Sequence, residues 1–186
     1  INWIPKIIPL GVYGIAEWRK GGALTENKTR RVVTLCIMYF AQGLPWGFAS
    51  VTFAAYLTAN APPDQDPLET VTMIATLFAT VALPWTFKWI WGPVVDAVFI
   101  EKYGPRRQWV LFAQTGMALT LGSLIFVDDL NEKVELVTRV LFIHNIFASL
   151  QDVATDALAV EILQPDEVAK VNGFMFAAKR GGIIVG

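Results

Sequence analysis

Long apolar runs separated by short polar segments dominate the pattern of this chain. Four complete runs cover about residues 32–57, 70–95, 108–127 and 136–158, and a fifth covers about 171–186. A helix needs about 20 mainly apolar residues to cross the hydrocarbon core of a bilayer. The pattern therefore predicts five membrane spans, the last of them truncated, in an all-α, polytopic membrane helix bundle.

The first 31 residues break this pattern. Residues 1–18 are apolar but interrupted by two prolines and two glycines, and they carry Lys6 and Glu17. Such a segment favours a position at the membrane surface with its aromatic side chains at the interface, and a further span is the alternative. Residues 19–31 are polar and basic, so residues 1–31 are predicted to be an interfacial and cytoplasmic segment.

Basic residues are concentrated in alternate polar segments. Most of the loop lysines and arginines precede the first span, or lie between spans two and three or between spans four and five. The other two loops contain Lys133 alone. Because cytoplasmic loops carry an excess of lysine and arginine, we expect the amino terminus and the basic loops to be cytoplasmic.

Composition agrees with a protein embedded in lipid. Hydrophobic residues make up 54% of the chain and charged residues only 17%, whereas soluble domains are nearer a quarter charged. The lone Cys36 allows no intramolecular disulfide, and we expect it to pack as a small apolar residue. No cysteine cluster, phosphate-binding glycine loop or second histidine is present, so we expect no enzyme activity, cofactor, metal or nucleic-acid partner.

Five ionisable residues fall inside predicted spans. They are Lys88, Asp152, Asp156, Lys179 and Arg180. Each costs at least about 2.5 kcal/mol at the centre of a bilayer unless it is paired or hydrated. Counted from the nearest cytoplasmic loop, three of them lie at a similar depth on three different helices. We therefore expect an intramembrane charge cluster, which serves as a structural ion-pair network, a cytoplasmic gate or a direct binding site for an anion.

Three polar residues are candidates for a transport pathway. Gln42 precedes Gly43 and Pro45 near the middle of span one, a pattern typical of irregular backbone beside a pathway. A kinked helix with Gln42 bonded to a neighbouring helix is the alternative. His144 could relay a proton or be a packed, hydrogen-bonded residue, and Gln151 lies beside the first intramembrane carboxylate.

The segment between spans two and three contains a recognisable motif. Gly92 is followed by three residues and Asp96, and then by Gly104 and the pair Arg106 and Arg107. This arrangement resembles the loop between helices two and three of the major facilitator superfamily. Two departures are the alanine after the aspartate and a proline inserted before the arginines, and the link is longer than usual.

These departures point to one branch. KWIWGPVVDAVFIEKYGPRRQW, residues 88–109, is similar to the acetyl-coenzyme A transporter family and the bacterial muropeptide permeases. Two further stretches are similar to the same group: QGLP in span one, and QD with the following acidic residues in span four. The resemblance covers most of residues 39–186.

The resemblance implies twelve helices in two halves, alternating access and, usually, proton coupling. Residues 32–186 would then belong to the amino-terminal six-helix half, and the missing carboxy-terminal half would be a partner. In the family, residues at the positions of Asp96, Arg106 and Arg107 tie the cytoplasmic helix ends together in the outward-open state. We expect a secondary active transporter of a polar, anionic solute in a bacterial inner membrane. The alternative is a transporter-derived structural or assembly subunit of a larger membrane complex.

Overall fold

The computed structural model describes residues 27–98 and 104–186, together with Leu24, and within these ranges the chain is built from helices. The predicted interfacial segment, residues 1–18, and most of the basic segment after it lie outside the described residues. The helices are α1 (Lys28–Gly47), α2 (Ala54–Ala59), α3 (Pro67–Thr86), α4 (Trp91–Ala97), α5 (Arg107–Ser123), α6 (Val134–Ile162) and α7 (Val168–Val185).

Helices α1 and α2 form one long rod joined by a π-helical turn, Phe48–Phe53. The side chain of Asn27 caps the start of α1 by accepting a hydrogen bond from the Arg30 amide. Pro45 lies inside α1, yet the helix continues to Gly47 before the turn widens. The predicted irregularity is therefore a π turn just beyond the Gly-Pro sequence. The seryl hydroxyl of Ser50 donates to the Trp46 carbonyl there.

The second predicted span is also divided. Asp66 caps α3 and Pro67 occupies its first turn, which is a favourable start for a helix. Helix α3 ends at Thr86, a 3₁₀ turn covers Lys88–Ile90, and α4 follows. Pro93 has no amide hydrogen to donate to the preceding turn, so the helical hydrogen-bond ladder cannot run unbroken through this stretch.

Helix α6 is the longest helix of the described chain, with 29 residues and a length of about 43 Å. Its buried residues include six polar ones: His144, Asn145, Ser149, Gln151, Asp152 and Thr155. Helices α3 and α5 pack along α6. These polar groups are therefore buried between helices of the bundle.

Three rods of the described residues are long and apolar enough to cross a membrane: Lys28–Ala59, Pro67–Ala97 and Arg107–Phe126. The all-α, polytopic membrane fold is thereby confirmed. Helices α6 and α7 match the fourth and fifth predicted spans in position, although both contain several charged residues. The total of five spans stays a prediction.

Helices α1 and α7 pack closely along one another. A Cβ atom added to Gly43 would overlap the carbonyl oxygen of Lys179, and one added to Gly182 would overlap that of Phe40. Gly47 and Gly186 make equally close approaches. Small residues let helix backbones approach in this way. We call these four residues the glycine seam; each of its two helices contributes a Gly-x-x-x-Gly pair.

Candidate functional site

Asp152 lies at the centre of the intramembrane charge cluster. Its residue surface is 5% exposed. One carboxylate oxygen is 3.1 Å from the Lys88 ammonium and the other is 3.3 Å from the Lys179 ammonium. The 3₁₀ turn after α3, helix α6 and helix α7 each provide one of these residues. Because the buried carboxylate of Asp152 pairs with two cations, its negative charge is balanced within the helix bundle.

Asp156 has a different environment, one helical turn further along α6. It is exposed, and the Tyr39 hydroxyl of α1 donates a hydrogen bond to it. Among the described residues no lysine or arginine forms a salt bridge with Asp156. The two aspartates, which the i, i+4 spacing assigns to one helix face, therefore have different partners.

The ammonium of Lys179 also lies over aromatic rings. It is 4.7 Å from the ring centroid of Trp85 and 5.6 Å from that of Tyr39. A cation is attracted to the negative face of an aromatic ring, most strongly to that of tryptophan. The Trp85 indole is itself oriented by a 2.6 Å hydrogen bond from its nitrogen to the Asn145 side-chain oxygen.

Two cavities of about 350 Å³ each adjoin the cluster. The aromatic cavity lies between α1, α3, α6 and α7, and its lining includes Gln42, Trp46, Trp85, His144, Lys179 and Arg180. The charge-cluster cavity is lined by Tyr39, Lys88, Asp152, Asp156, Asn172 and Lys179, among others. Trp85, Phe176 and Lys179 line both cavities and so form the wall between them. These volumes are at the small end of the usual range for ligand pockets.

The predicted pathway residues have different surroundings. The Gln42 amide nitrogen donates to the Ala148 carbonyl of α6 at 3.3 Å, as expected for a bonded glutamine in a kinked helix. The same residue lines the aromatic cavity. His144 lines it too and lies 3.2 Å from the Thr120 hydroxyl through its Nδ1 atom. Gln151 is 2% exposed and does not line either cavity.

Arg106 organises the loop motif. Its guanidinium donates to Asp96, to the Glu161 carboxylate at 2.8 Å and to the Val95 carbonyl at 3.1 Å. Burial alone would lower the pKa of Arg106, but the hydrogen bonds to the two carboxylates outweigh it and raise that pKa. One side chain thereby links the end of α4 to the end of α6.

The other three motif residues are not brought into this network. Gly104 adopts a positive φ of 79°, a conformation that glycine takes without steric cost. Gly92 has no close neighbour at the position of a Cβ atom. Arg107 is exposed and makes no ion pair with the described residues.

A second ion pair was not predicted from the sequence. Arg31 and Glu167 are 5% and 4% exposed, and an Arg31 nitrogen lies 2.7 Å from the Glu167 carboxylate. Lys28 approaches the same carboxylate at 3.3 Å. Burial of Glu167 would raise its pKa, but hydrogen bonds from the Gln164 amide, Arg31 and Lys28 outweigh it and lower that pKa. The pair connects the start of α1 to the start of α7. In the sequence, the only sign of this ion pair is an arginine directly before the first predicted span.

Helices with membrane-crossing length, joined by short loops and holding ion pairs in their interior, define a polytopic helical membrane protein. The chain belongs to the acetyl-coenzyme A transporter 1 family, whose model matches residues 31–173. The predicted resemblance to this branch is thereby confirmed.

Curated relatives come from yeasts and bacteria. The chain is 30% identical over 106 residues to a membrane protein of Saccharomyces cerevisiae, covering 57% of this chain and 18% of that protein. It is 22% identical over 151 residues to a protein of Schizosaccharomyces pombe, covering 78% of this chain and 27% of that protein. It is 27% identical over 155 residues to the anhydromuropeptide permease of Escherichia coli, covering 83% of this chain and 30% of that protein. The chain thus spans less than a third of the length of these relatives, and no solved structure matches it.

Proposed function

We propose that the full-length protein is a secondary active transporter that moves a polar, anionic solute by alternating access, coupled to protons. The observation that supports this proposal best is the charge balance beside the two cavities. Lys88, Lys179 and Arg180 line the two cavities, and among the described residues Asp152 and Asp156 are the only carboxylates in these linings. The unbalanced positive charge favours an anionic ligand, because an uncompensated charge is costly in a membrane.

Two solutes are worth testing first. The family is described as acetyl-coenzyme A transporter 1, and one relative is called an anhydromuropeptide permease. Acetyl-coenzyme A carries phosphates and anhydromuropeptides carry carboxylates, so both are polar anions. An anionic group of either solute could pair with Arg180, which lines the aromatic cavity and makes no ion pair with the described residues.

The loop network serves, in this proposal, as the cytoplasmic gate. Arg106 joins Asp96 to Glu161 and so links the ends of α4 and α6, which we expect to separate when the cytoplasmic side opens. The amino terminus then lies in the cytoplasm, as the distribution of basic residues predicts. The bacterial inner membrane remains a prediction, since the relatives come from yeasts as well as bacteria.

Uptake by the full-length protein in proteoliposomes tests the proposal. Radiolabelled acetyl-coenzyme A and an anhydromuropeptide are offered with and without an imposed proton gradient, and empty liposomes provide the background. We expect uptake of one solute that falls when a protonophore collapses the gradient. Uptake at the background level for both solutes, together with a partner protein packed across the cavities, would favour the structural or assembly subunit instead.

A further inference from the structure

We propose that Lys179 is a two-position anion-binding residue, which pairs with Asp152 in the empty protein and with the solute when the aromatic cavity is filled. The inference rests on the proposed function, because it assumes an anionic solute in that cavity. It adds a specific residue and a competition between an internal carboxylate and the ligand. The geometry around the Lys179 ammonium supports it in three steps.

The first step is position. Lys179 lines both the aromatic cavity and the charge-cluster cavity, and Asp152 lines only the second. The side chain of Lys179 is 22% exposed, whereas that of Asp152 is 6% exposed. A lysine has a flexible stem with three freely rotating donors. Lys179 can therefore turn its ammonium from one cavity to the other without any movement of α7.

The second step is the stability of the partner that is left behind. If Lys179 leaves Asp152, the carboxylate still has the Lys88 ammonium at 3.1 Å. A buried carboxylate with no cation would be strongly unfavourable, but one of the two cations can be released. In its position beside Asp152 the Lys179 ammonium also lies over the rings of Trp85 and Tyr39. Trp85 lines the aromatic cavity as well, so its ring can attract the ammonium on that side too.

The third step is a neighbouring cation that is ready to receive the same anion. Arg180 follows Lys179 in α7, lines the aromatic cavity and has no ion pair with the described residues. A phosphate or carboxylate between the two side chains would accept charge-assisted hydrogen bonds from both, and these are stronger than neutral ones. An anion in the aromatic cavity and Asp152 thus compete for one ammonium.

Competition predicts an effect of opposite sign from a structural role. If the residue that binds a ligand is free for only a fraction of the time, the apparent affinity of the ligand is reduced by that fraction. Removing the Asp152 charge should therefore tighten anion binding, although it should also impair transport. Removing Lys88 leaves Lys179 as the sole cation of Asp152, so the ammonium is held more firmly and the anion should bind more weakly.

The experiment measures binding of acetyl-coenzyme A and of an anhydromuropeptide to the full-length protein in detergent by isothermal titration calorimetry. We expect Lys179→Gln to weaken binding about tenfold, the loss of one charge-assisted hydrogen bond. Asp152→Asn should tighten it at least about threefold, and Lys88→Gln should weaken it about threefold. When Asp152→Asn or Lys88→Gln is combined with Lys179→Gln, it should have no further effect on binding.

Arg139→Gln is the matched control for the loss of a positive charge. Its side chain is 71% exposed and pairs with Glu135 at the far end of α6, so binding should stay within about twofold of wild type. Should Asp152→Asn fail to fold, Lys88→Gln and the double variant Lys88→Gln/Lys179→Gln still distinguish competition for Lys179 from a purely structural role. Binding by the wild type that Asp152→Asn does not tighten, or that Lys179→Gln does not weaken, overturns this inference alone. A wild-type protein that binds neither probe overturns the proposed function as well.

Discussion

Substitution of Gly182 by alanine tests the close packing of α1 against α7. The added Cβ atom would lie against the Phe40 carbonyl oxygen, 3.0 Å from its carbon and 3.1 Å from the Gly43 Cα. Both neighbours are backbone atoms, which cannot turn aside as a side chain can. The two helices would have to separate by roughly an ångström to restore ordinary van der Waals distances.

The adjacent glycine provides a matched comparison. A Cβ atom added to Gly181 would meet only the Phe40 ring, at 3.8 Å, which is an ordinary contact. Alanine is a better helix former than glycine by about 1 kcal/mol, and both substitutions receive this benefit. Overpacking of a tight contact costs typically about 1–3 kcal/mol. We therefore expect Gly181→Ala to be neutral or stabilising and Gly182→Ala to be destabilising.

The assay is the thermal stability of the full-length protein in detergent, followed by the fraction that remains monodisperse on size-exclusion chromatography after heating. Gly182→Ala should lose this fraction at a lower temperature than wild type, and Gly181→Ala at the same or a higher temperature. Equal stability of the two variants would refute the backbone-to-backbone packing of the glycine seam.

Three further predictions concern the polar network. Glu167→Gln should lower thermal stability at neutral pH. Folding lowers the pKa of Glu167, so the ionised carboxylate stabilises the fold at pH values above its ordinary pKa of 4.5. This stabilisation is lost as the pH falls through the pKa of the folded state. The difference in melting temperature from wild type should therefore shrink in acid, and a constant difference would contradict this reasoning. Arg106→Lys should reduce proteoliposome uptake about tenfold, because lysine cannot reproduce the fork to Asp96 and Glu161; unchanged uptake would exclude the gate. Trp85→Phe should destabilise the protein by about 1–3 kcal/mol in thermal unfolding, because it leaves a buried amide without its donor, and wild-type stability would show that this bond contributes nothing.

The helical fold was predictable because a bilayer offers few alternatives. Backbone groups in hydrocarbon must bond within their own segment, so an apolar run of sufficient length becomes a helix. Counting residues from the loops predicted to be cytoplasmic also placed Lys88, Asp152 and Lys179 at one depth, and the structure brings these three together. Helix geometry alone was enough for that prediction.

The partners of individual residues were not predictable in the same way. Asp152 and Asp156 lie one turn apart on α6, yet only the first reaches two lysines. Arg31 and Glu167 are separated by 136 residues, and nothing local to either position indicates the other. Such pairings depend on the rotation of each helix about its axis and on its neighbours, which hydropathy does not encode.

The proposed transport role of the intramembrane charge cluster is tested most directly by uptake in proteoliposomes containing full-length Asp152→Asn. Glu135→Gln is the control, because it removes an exposed carboxylate from the same helix. We expect uptake of the transported solute to fall to the background of empty liposomes in Asp152→Asn, with gel-filtration behaviour like that of wild type, and to persist in Glu135→Gln. Near-normal uptake by Asp152→Asn would contradict the account.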